Sequence, residues 1–328
     1  VSAPAAGRPG PGPRVVTLTP NPSLDRALHL DRLEPGEVNR ATATHLHPGG
    51  KGINVSRALA AHGVASRAVL PAGGPDGGQV VALLAAQGVD AHPVPVAGDT
   101  RSNITLSEAG GATTKINAPG PALAAAEQEA LLLAVAAELV SGATAVVAAG
   151  SLPAGVDDAF FTRVADLGAE HGVPVLLDTS GAPLAAAVAH GGLALVKPND
   201  DELAELVGHD LLTVGDVLGA AHAVRARGTE AVLVSLGAHG ALLVTGDGAW
   251  WAGGPALVPV STVGAGDSTL AGYLAVDGDP ADRLRRAVAW GRAAVLLHGT
   301  AVPLPADIRP DEVAVLADPD PDLPLKEL

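Results

Sequence analysis

Short apolar runs and longer stretches of helical spacing take turns along this chain. The runs at 14–18, 67–71, 89–96, 145–149, 173–177, 193–196 and 231–235 are rich in Val, Leu and Ala. They stop at turn formers such as Thr19-Pro20-Asn21-Pro22, Gly150-Ser151-Leu152-Pro153 and Leu236-Gly237-Ala238-His239-Gly240. Between them, 79–87, 124–140, 158–170, 200–207, 214–227 and 279 to about 297 read as helices. Apolar strands alternating with helices predict an α/β fold with a mostly parallel sheet covered on both faces. Two pairs of segments break this rhythm. Positions 27–33 and 41–47 alternate around Glu34-Pro35-Gly36, and 100–106 and 113–116 flank Gly110-Gly111. They predict hairpins, at about 26–48 and 100–118, that project from one sheet edge as a lid. Further β-type runs at 241–245, 249–252 and 256–260 precede the last helical region.

Composition narrows the picture. The 328 residues are 48% hydrophobic but only 2% aromatic, so the core must be built from small aliphatic side chains. The formal charge of −15 argues against nucleic acid or an anionic membrane surface as partner. An anionic substrate would need local cations set against that field. There are no cysteines, which excludes disulfides, thiolate metal sites and thiol nucleophiles. The apolar region 131–149 carries Glu138 and is broken by Ser141-Gly142, so it fits helix then strand and not a membrane span. Residues 1–13, rich in Ala, Gly and Pro without a continuous apolar core, read as a disordered leader of a cytoplasmic protein. With no linker or repeat, 14–328 is expected to form a single domain.

In open α/β sheets ligands bind beyond the carboxyl ends of the strands. Asp25, Ser151, Asn199, Ser235 and Asp267 all fall at such positions, which predicts one active edge. The strongest stretch is Ser261-Thr262-Val263-Gly264-Ala265-Gly266-Asp267-Ser268-Thr269. A strand turning on glycines into a helix gathers free N–H groups and a partial positive charge, which suits an anion. Asp267 inside that end reads either as a catalytic acid or base or as an ordinary helix cap. The second stretch, Pro48-Gly49-Gly50-Lys51-Gly52-Ile53-Asn54, sets a lysine among glycines before a helix. It is not a P-loop, since His45 stands where Gly is needed and Gly52 follows the lysine. Its flexible backbone and mobile cation still suit an anionic group, and Asn54 suits sugar hydroxyls. Asp25 reads as a ligand-binding carboxylate or a turn-stabilising residue, Arg101 as a phosphate partner or a surface residue. His45 and His47 lack a third ligand nearby and read as an exposed strand face.

Taken together, these motifs resemble the ribokinase-like carbohydrate kinase family called PfkB, over about 14–318 and in the expected order. Ser261 to Asp267 resembles its C-terminal signature, 48–59 its glycine signature, and Val196-Lys197-Pro198-Asn199-Asp200-Asp201-Glu202 its Asn-x-x-Glu motif. Within the family the chain is most similar to the phosphosugar branch and there to the 1-phosphofructokinases. Lys51 inside the glycine motif, Thr114-Lys115-Ile116-Asn117-Ala118-Pro119-Gly120 and Ala289-Trp290-Gly291 carry that resemblance. A short segment after Asp267, reaching Asp277-Gly278-Asp279-Pro280 quickly, departs from many relatives.

The resemblance implies a three-layer α/β/α sandwich with a mostly parallel central sheet and a small β lid. It implies ATP-dependent phosphorylation of the C6 hydroxyl of fructose 1-phosphate. Asp267 is then the base, at an ordinary pKa of about 4, and the N–H groups of Gly264, Ala265 and Gly266 stabilise developing charge. Asp25, Gly50 and Asn54 are expected on the sugar, and Lys51, Arg101 and Ser151 around its phosphate. Lys197, Ser235, Gly237 and Gly240 are expected on the nucleotide. Asn199 and Glu202 are expected to hold Mg²⁺ through water. The family also implies activation by a monovalent cation such as K⁺, and a homodimer formed through the lid. Tagatose 6-phosphate or fructose 6-phosphate as acceptor, and a non-catalytic phosphosugar sensor, are the competing readings. A hydrolase would need Gly-x-Ser-x-Gly, which Gly150-Ser151-Leu152-Pro153 is not. A dehydrogenase would need a glycine fingerprint where Pro20-Asn21-Pro22 stands.

Overall fold

A computed structural model describes residues 14–328, so the expected leader at 1–13 lies outside the described residues. β1 (Arg14–Leu18) leads through the two-proline turn into β2 (Ser23–Leu30) and β3 (Ala43–Gly49). β4 (Ser66–Ala72) and β5 (Asp90–Pro95) precede β6 (Arg101–Glu108) and β7 (Thr113–Ile116). β8 (Ala143–Ala149), β9 (Val175–Asp178), β10 (Leu193–Val196) and β11 (Thr229–Ser235) alternate with helices. β12 (Ala241–Val244), β13 (Ala249–Gly253) and β14 (Ala314–Ala317) complete the series.

Ten strands form one sheet in the order β14-β13-β12-β11-β10-β9-β8-β1-β4-β5. Neighbours from β11 to β5 are parallel, and β12, β13 and β14 are antiparallel. The parallel strands are apolar on both faces because helices cover both. Val16, Leu18, Val146 and Ala148 join a core with the helices at 125–140, 160–171, 181–190, 200–207 and 214–225. Val15, Ala145, Val147 and Ala149 join the opposite core with the helices at 51–61, 265–274 and 280–294. The last two helices pack closely: a Cβ on Gly272 would sit 2.8 Å from the Trp290 ring.

The two hairpins form one four-stranded sheet, β3-β2-β6-β7, joined by the parallel pair β2 and β6. Asp25 therefore lies within β2 and not in a turn after β1, because pairing with β3 and β6 begins at Ser23. The segment 256–260 is not a strand. β13 already pairs with β12 on one side and β14 on the other, so neither of its sides is open to it, and Val258 remains 87% exposed. The helix Gly181–His190 and the edge strand β14 were not anticipated from the apolar pattern.

Candidate active site

The carboxyl ends of β1, β8, β9, β10 and β11 open, beside the four-stranded sheet, into a cavity of about 500 Å³. Asp25, Gly50, Lys51, Asn54, Arg101 and Ser151 line it, together with Lys197, Asn199, Glu202, Ser235, Gly264, Gly266 and Asp267. Residues far apart in sequence thus meet at one rim.

On the lid side, Asp25 Oδ1 accepts from Ser23 Oγ at 2.7 Å and from Asn103 Nδ2 at 3.0 Å. Gly49 makes room for it, since a Cβ there would lie 2.3 Å from Asp25 Oδ2. Gly50 has φ +128° and no space for a side chain against Thr19, 2.6 Å away. Asn21 Nδ2 donates to Ser151 Oγ at 3.2 Å, while the buried Asn21 Oδ1 has no partner among the described residues. Arg101 reaches the cavity with its guanidinium partly occupied, donating to the carbonyls of Ala118 (3.2 Å) and Asn21 (2.9 Å). Its buried Nε has no partner among the described residues.

Asp267 is the third residue of the helix Ala265–Leu274, whose N-cap Gly264 holds φ +79°. That left-handed conformation is one glycine adopts without strain. The first bond into the helix runs from Ser268 N–H to Gly264 C=O, at 2.9 Å. The amides of Ala265, Gly266 and Asp267 therefore have no intrahelical acceptor. Asp267 does not cap the helix with its side chain; its Oδ2 instead accepts from Asn54 Nδ2 at 2.8 Å. Burial, and then the negative charge of Asp178, push its carboxyl up to about 6. Asn54, Lys51 and Lys197 pull the other way without cancelling this. The expectation of an ordinary carboxylate pKa is corrected: a group 6% exposed beside a second carboxylate is a stronger base than one in water.

Asp178, the last residue of β9, accepts from Lys51 Nζ at 2.7 Å and lies 2.9 Å from Lys197 Nζ. It is 1% exposed; burial opposes its charge, yet Lys197 and Lys51 hold it below the usual carboxylate range. Burial likewise opposes the charge on Lys51, but Asp178 keeps that ammonium above its ordinary range. Lys51 is thus not a free cation but one half of an ion pair that an incoming phosphate would share.

Asn199 and Glu202 form a reciprocal capping box. Asn199 Oδ1 accepts from Glu202 N–H at 2.7 Å, and Glu202 Oε2 accepts from Asn199 N–H at 2.9 Å. Both also line the cavity, and Glu202 Oε1 has no hydrogen-bond partner among the described residues. No group of three or more His, Asp or Glu side chains among the described residues is arranged to hold a metal by itself. This donor set fits Mg²⁺ only as a hydrated ion shared with substrate phosphates, the way that ion is commonly held.

Next to this cavity lies a second, of about 400 Å³, sharing Asn199, Ser235 and Gly266 with it. Gly237, Gly240 and Ala265 are in its wall, with Leu257, Pro259, Val288 and Val295. A polar cavity and a more apolar one thus meet at the Gly264–Asp267 turn.

Sequence reasoning missed Asp178, Asn21, Ser23 and Asn103. Asp178 had one available signal, a carboxylate ending an apolar strand. The others are short polar side chains in turns or lid strands, with no spacing that marks them.

A buried carboxylate at a helix N-terminus, between a polar and an apolar cavity on the carboxyl edge of an α/β/α sandwich, defines a group-transfer enzyme. A family model for pfkB family carbohydrate kinases matches residues 19–307, and the chain belongs to that family. It is 42% identical over 279 residues to the 1-phosphofructokinase of Xanthomonas campestris pv. campestris, covering 83% of this chain and 87% of the relative. It is 39% identical over 292 residues to the ATP-dependent 6-phosphofructokinase isozyme 2 of Escherichia coli K12, covering 88% and 94%. Phosphofructokinase-2 from Escherichia coli, solved in complex with potassium, superposes with a TM-score of 0.84 at 36% identity, over 90% of this chain and 97% of its own. Ribokinase from Thermotoga maritima shares the fold, with a TM-score of 0.72 at 21% identity over 89% and 97%.

Proposed function

We propose that this chain transfers the γ-phosphoryl group of ATP to the C6 hydroxyl of fructose 1-phosphate, giving fructose 1,6-bisphosphate and ADP. The observation that carries the reading is the placement of Asp267. Its carboxylate is buried beside free helix amides at the junction of the two cavities, and family membership supplies the reaction class. In the step, Asp267 takes the C6 hydroxyl proton while the oxygen forms a bond to the γ-phosphorus. The bond from that phosphorus to the ADP oxygen breaks, and ADP leaves. A loose transition state of this kind asks for positioning and charge stabilisation more than for a strong base. The amides of Ala265 and Gly266, with Gly264, face the developing negative charge. Asp25 and Asn54 take sugar hydroxyls, with Gly50 admitting the sugar close to the backbone. Lys51, Arg101 and Ser151 surround the sugar phosphate, and Lys197 meets the nucleotide phosphates. Ser235, Gly237 and Gly240 border the nucleoside. Asn199 and Glu202 would hold Mg²⁺ through water, and the ion would neutralise phosphate charge.

The second reading, fructose 6-phosphate as acceptor, rests on the isozyme 2 relatives, which match nearly as well. Lys51 in the glycine turn favours the first. Retention of Asp267 disfavours a non-catalytic sensor. A charged substrate pair that membranes retain supports activity in the cytoplasm. The exposed lid edge β7, with Ile116 53% exposed, supports a homodimer through the lid, which light scattering after gel filtration tests. K⁺ activation is carried over from the family and is read by assaying in sodium against potassium salts. The deciding experiment is a coupled ADP-release assay on fructose 1-phosphate, fructose 6-phosphate, tagatose 6-phosphate and fructose. The highest kcat/KM is expected on fructose 1-phosphate; a higher value on another acceptor overturns the assignment.

A further inference from the structure

The carboxamide of Asn54 is held at both ends. Its Nδ2 donates to Asp267 Oδ2 at 2.8 Å, and its Oδ1 accepts from Arg57 Nη1 at 3.2 Å. Arg57 lies one turn further along the same helix, Lys51–Ala61, and is 7% exposed. It is itself fixed: Nε donates to Gln87 Oε1 at 2.6 Å, and Nη1 donates also to the Thr300 carbonyl at 3.0 Å. A carboxamide has a donor end and an acceptor end, whereas a guanidinium only donates. Turned over, Asn54 would set an oxygen against the Asp267 carboxylate and a nitrogen against Arg57, losing both bonds and adding two repulsions.

Nothing in direct contact with Arg57 calls for a positive charge. Its hydrogen-bond acceptors are amide and carbonyl oxygens, and no carboxylate lies within ion-pair distance among the described residues. A buried charge without a paired ion is costly to keep. The charges that offset it at longer range are Asp25 and Asp267, one from the lid and one from the helix opposite. Arg57 thus stands behind two of the cavity's carboxylates without lining it.

We propose that Arg57 is a positioning residue for Asp267, acting through Asn54, whose carboxamide it fixes so that an N–H meets the base. It ties the same helix to the segment that carries Thr300. This rests on the reading of Asp267 as the base.

The test uses the full chain with Arg57→Met, Arg57→Lys, Asn54→Leu and the Arg57→Met/Asn54→Leu double variant, assayed across pH on the acceptor that wild type turns over best. Arg57→Met is expected to lower kcat by about a hundredfold, the order of loss a displaced catalytic group brings, while the KM for ATP moves little. The acid limb of the pH profile should move up, because the variant loses both a hydrogen bond to Asn54 and a positive charge that favour ionised Asp267. Asp178, Lys51 and Lys197, which also face Asp267, are unchanged in every variant. In the Asn54→Leu background the same substitution should add little further loss of kcat, since the path through Asn54 is already cut, and the acid limb should keep only the part of its shift that the Arg57 charge causes directly. Arg57→Lys should restore the acid limb and only part of kcat. Full additivity in the double variant, or a loss confined to melting temperature with kcat and acid limb unmoved, overturns the proposal. Where Arg57→Met does not fold, Arg57→Lys decides: reduced kcat at unchanged melting temperature supports it, and wild-type kcat overturns it. A wild type inactive on all four acceptors would defeat the kinase reading alone. The positioning role is then read from a carbon-13 titration of the Asp267 carboxyl, assigned with Asp267→Asn: an upward shift in Arg57→Met supports the proposal, and an unmoved midpoint overturns it.

Discussion

The two rims of the central sheet each bury a carboxylate and treat it differently. At the carboxyl rim, Asp267 accepts one neutral amide N–H, faces Asp178, and is pushed up to about 6. At the amino rim, Glu138, on the helix Ala125–Val140, is only 3% exposed. It meets Arg14 at the start of β1, Arg67 Nη1 of β4 at 3.0 Å and His92 Nδ1 of β5 at 2.9 Å. Burial opposes its charge as well, yet the bonds to His92 and Arg67 hold it below the usual range. Burial is common to both, so it cannot be what separates a base from a staple. The partner set does that: cations lock the charge in place at Glu138, while an amide and a like charge leave Asp267 able to take a proton.

The largest effect should come from Asp267→Asn. Loss of the base is expected to lower kcat by about a thousandfold, within the usual span for general acid–base groups, with ATP affinity kept. Stability should move the opposite way. The folded pKa of Asp267 lies above its unfolded value, so its contribution is fully present below about pH 4 and lost as pH rises through about 6. At pH 8 the ionised group costs the fold about 3 kcal/mol. The variant should therefore melt higher than wild type at pH 8, with the gain vanishing toward pH 4. Calorimetry at the two pH values checks it, and a variant less stable at pH 8 would break the contrast.

Glu138→Gln should do the reverse, leaving kcat per folded molecule intact and lowering unfolding free energy by about 3 kcal/mol, as removal of one member of a buried ion cluster does. Here the sign is the ordinary one. Glu138 has a folded pKa below its unfolded value, so its stabilisation is present above about 4.5 and lost as pH falls through the folded pKa. Urea midpoints of wild type should drop in that acid window, and those of the variant should stay flatter. A variant that loses kcat without stability would erase the difference between the rims.

The two rims also differ in how far they can be read from sequence. The carboxyl rim is punctuated by turn chemistry: Gly49, Gly50 and Gly264 stand where a side chain would clash or a positive φ is required, and the end of β10 sets Asn199 on the same rim, although Asp25 comes to it within β2 and Asp267 within a helix. What joins those pieces is not local. Asn54 and Asp267 are 213 positions apart, and Lys51 and Asp178 are 127. No spacing rule links them, so Asp178 shows in the sequence only as a carboxylate ending an apolar run, and nothing singles out Arg57 within the 48–59 stretch. The amino rim left less trace still. Glu138 registers in the apolar run 131–149 only as an interruption, and its partners come from the first residues of three strands whose neighbours depend on sheet order. The Ala-rich helix Gly181–His190 went unseen because small side chains give little periodic contrast. The run at 256–260 looked like a strand because apolar alternation cannot report that the sheet edge is already taken by β14.

Asp178 offers the finest cut, since it is a carboxylate of the first rim that carries the partner set of the second. Two lysines hold it ionised, as Arg14, Arg67 and His92 hold Glu138, yet its charge is the second cause, after burial, of the raised pKa of Asp267. Asp178→Asn removes that like charge while nearly preserving shape, and it frees Lys51 and Lys197 to face Asp267. Both changes favour the ionised base, so the acid limb of kcat/KM should move down by about one pH unit. The same variant releases two ammonium groups into the phosphate region, so the KM for fructose 1-phosphate should fall or hold even if kcat drops. A profile whose acid limb stays where it was would mean that burial alone sets the base. The distinction between the rims would then rest on depth and not on partners.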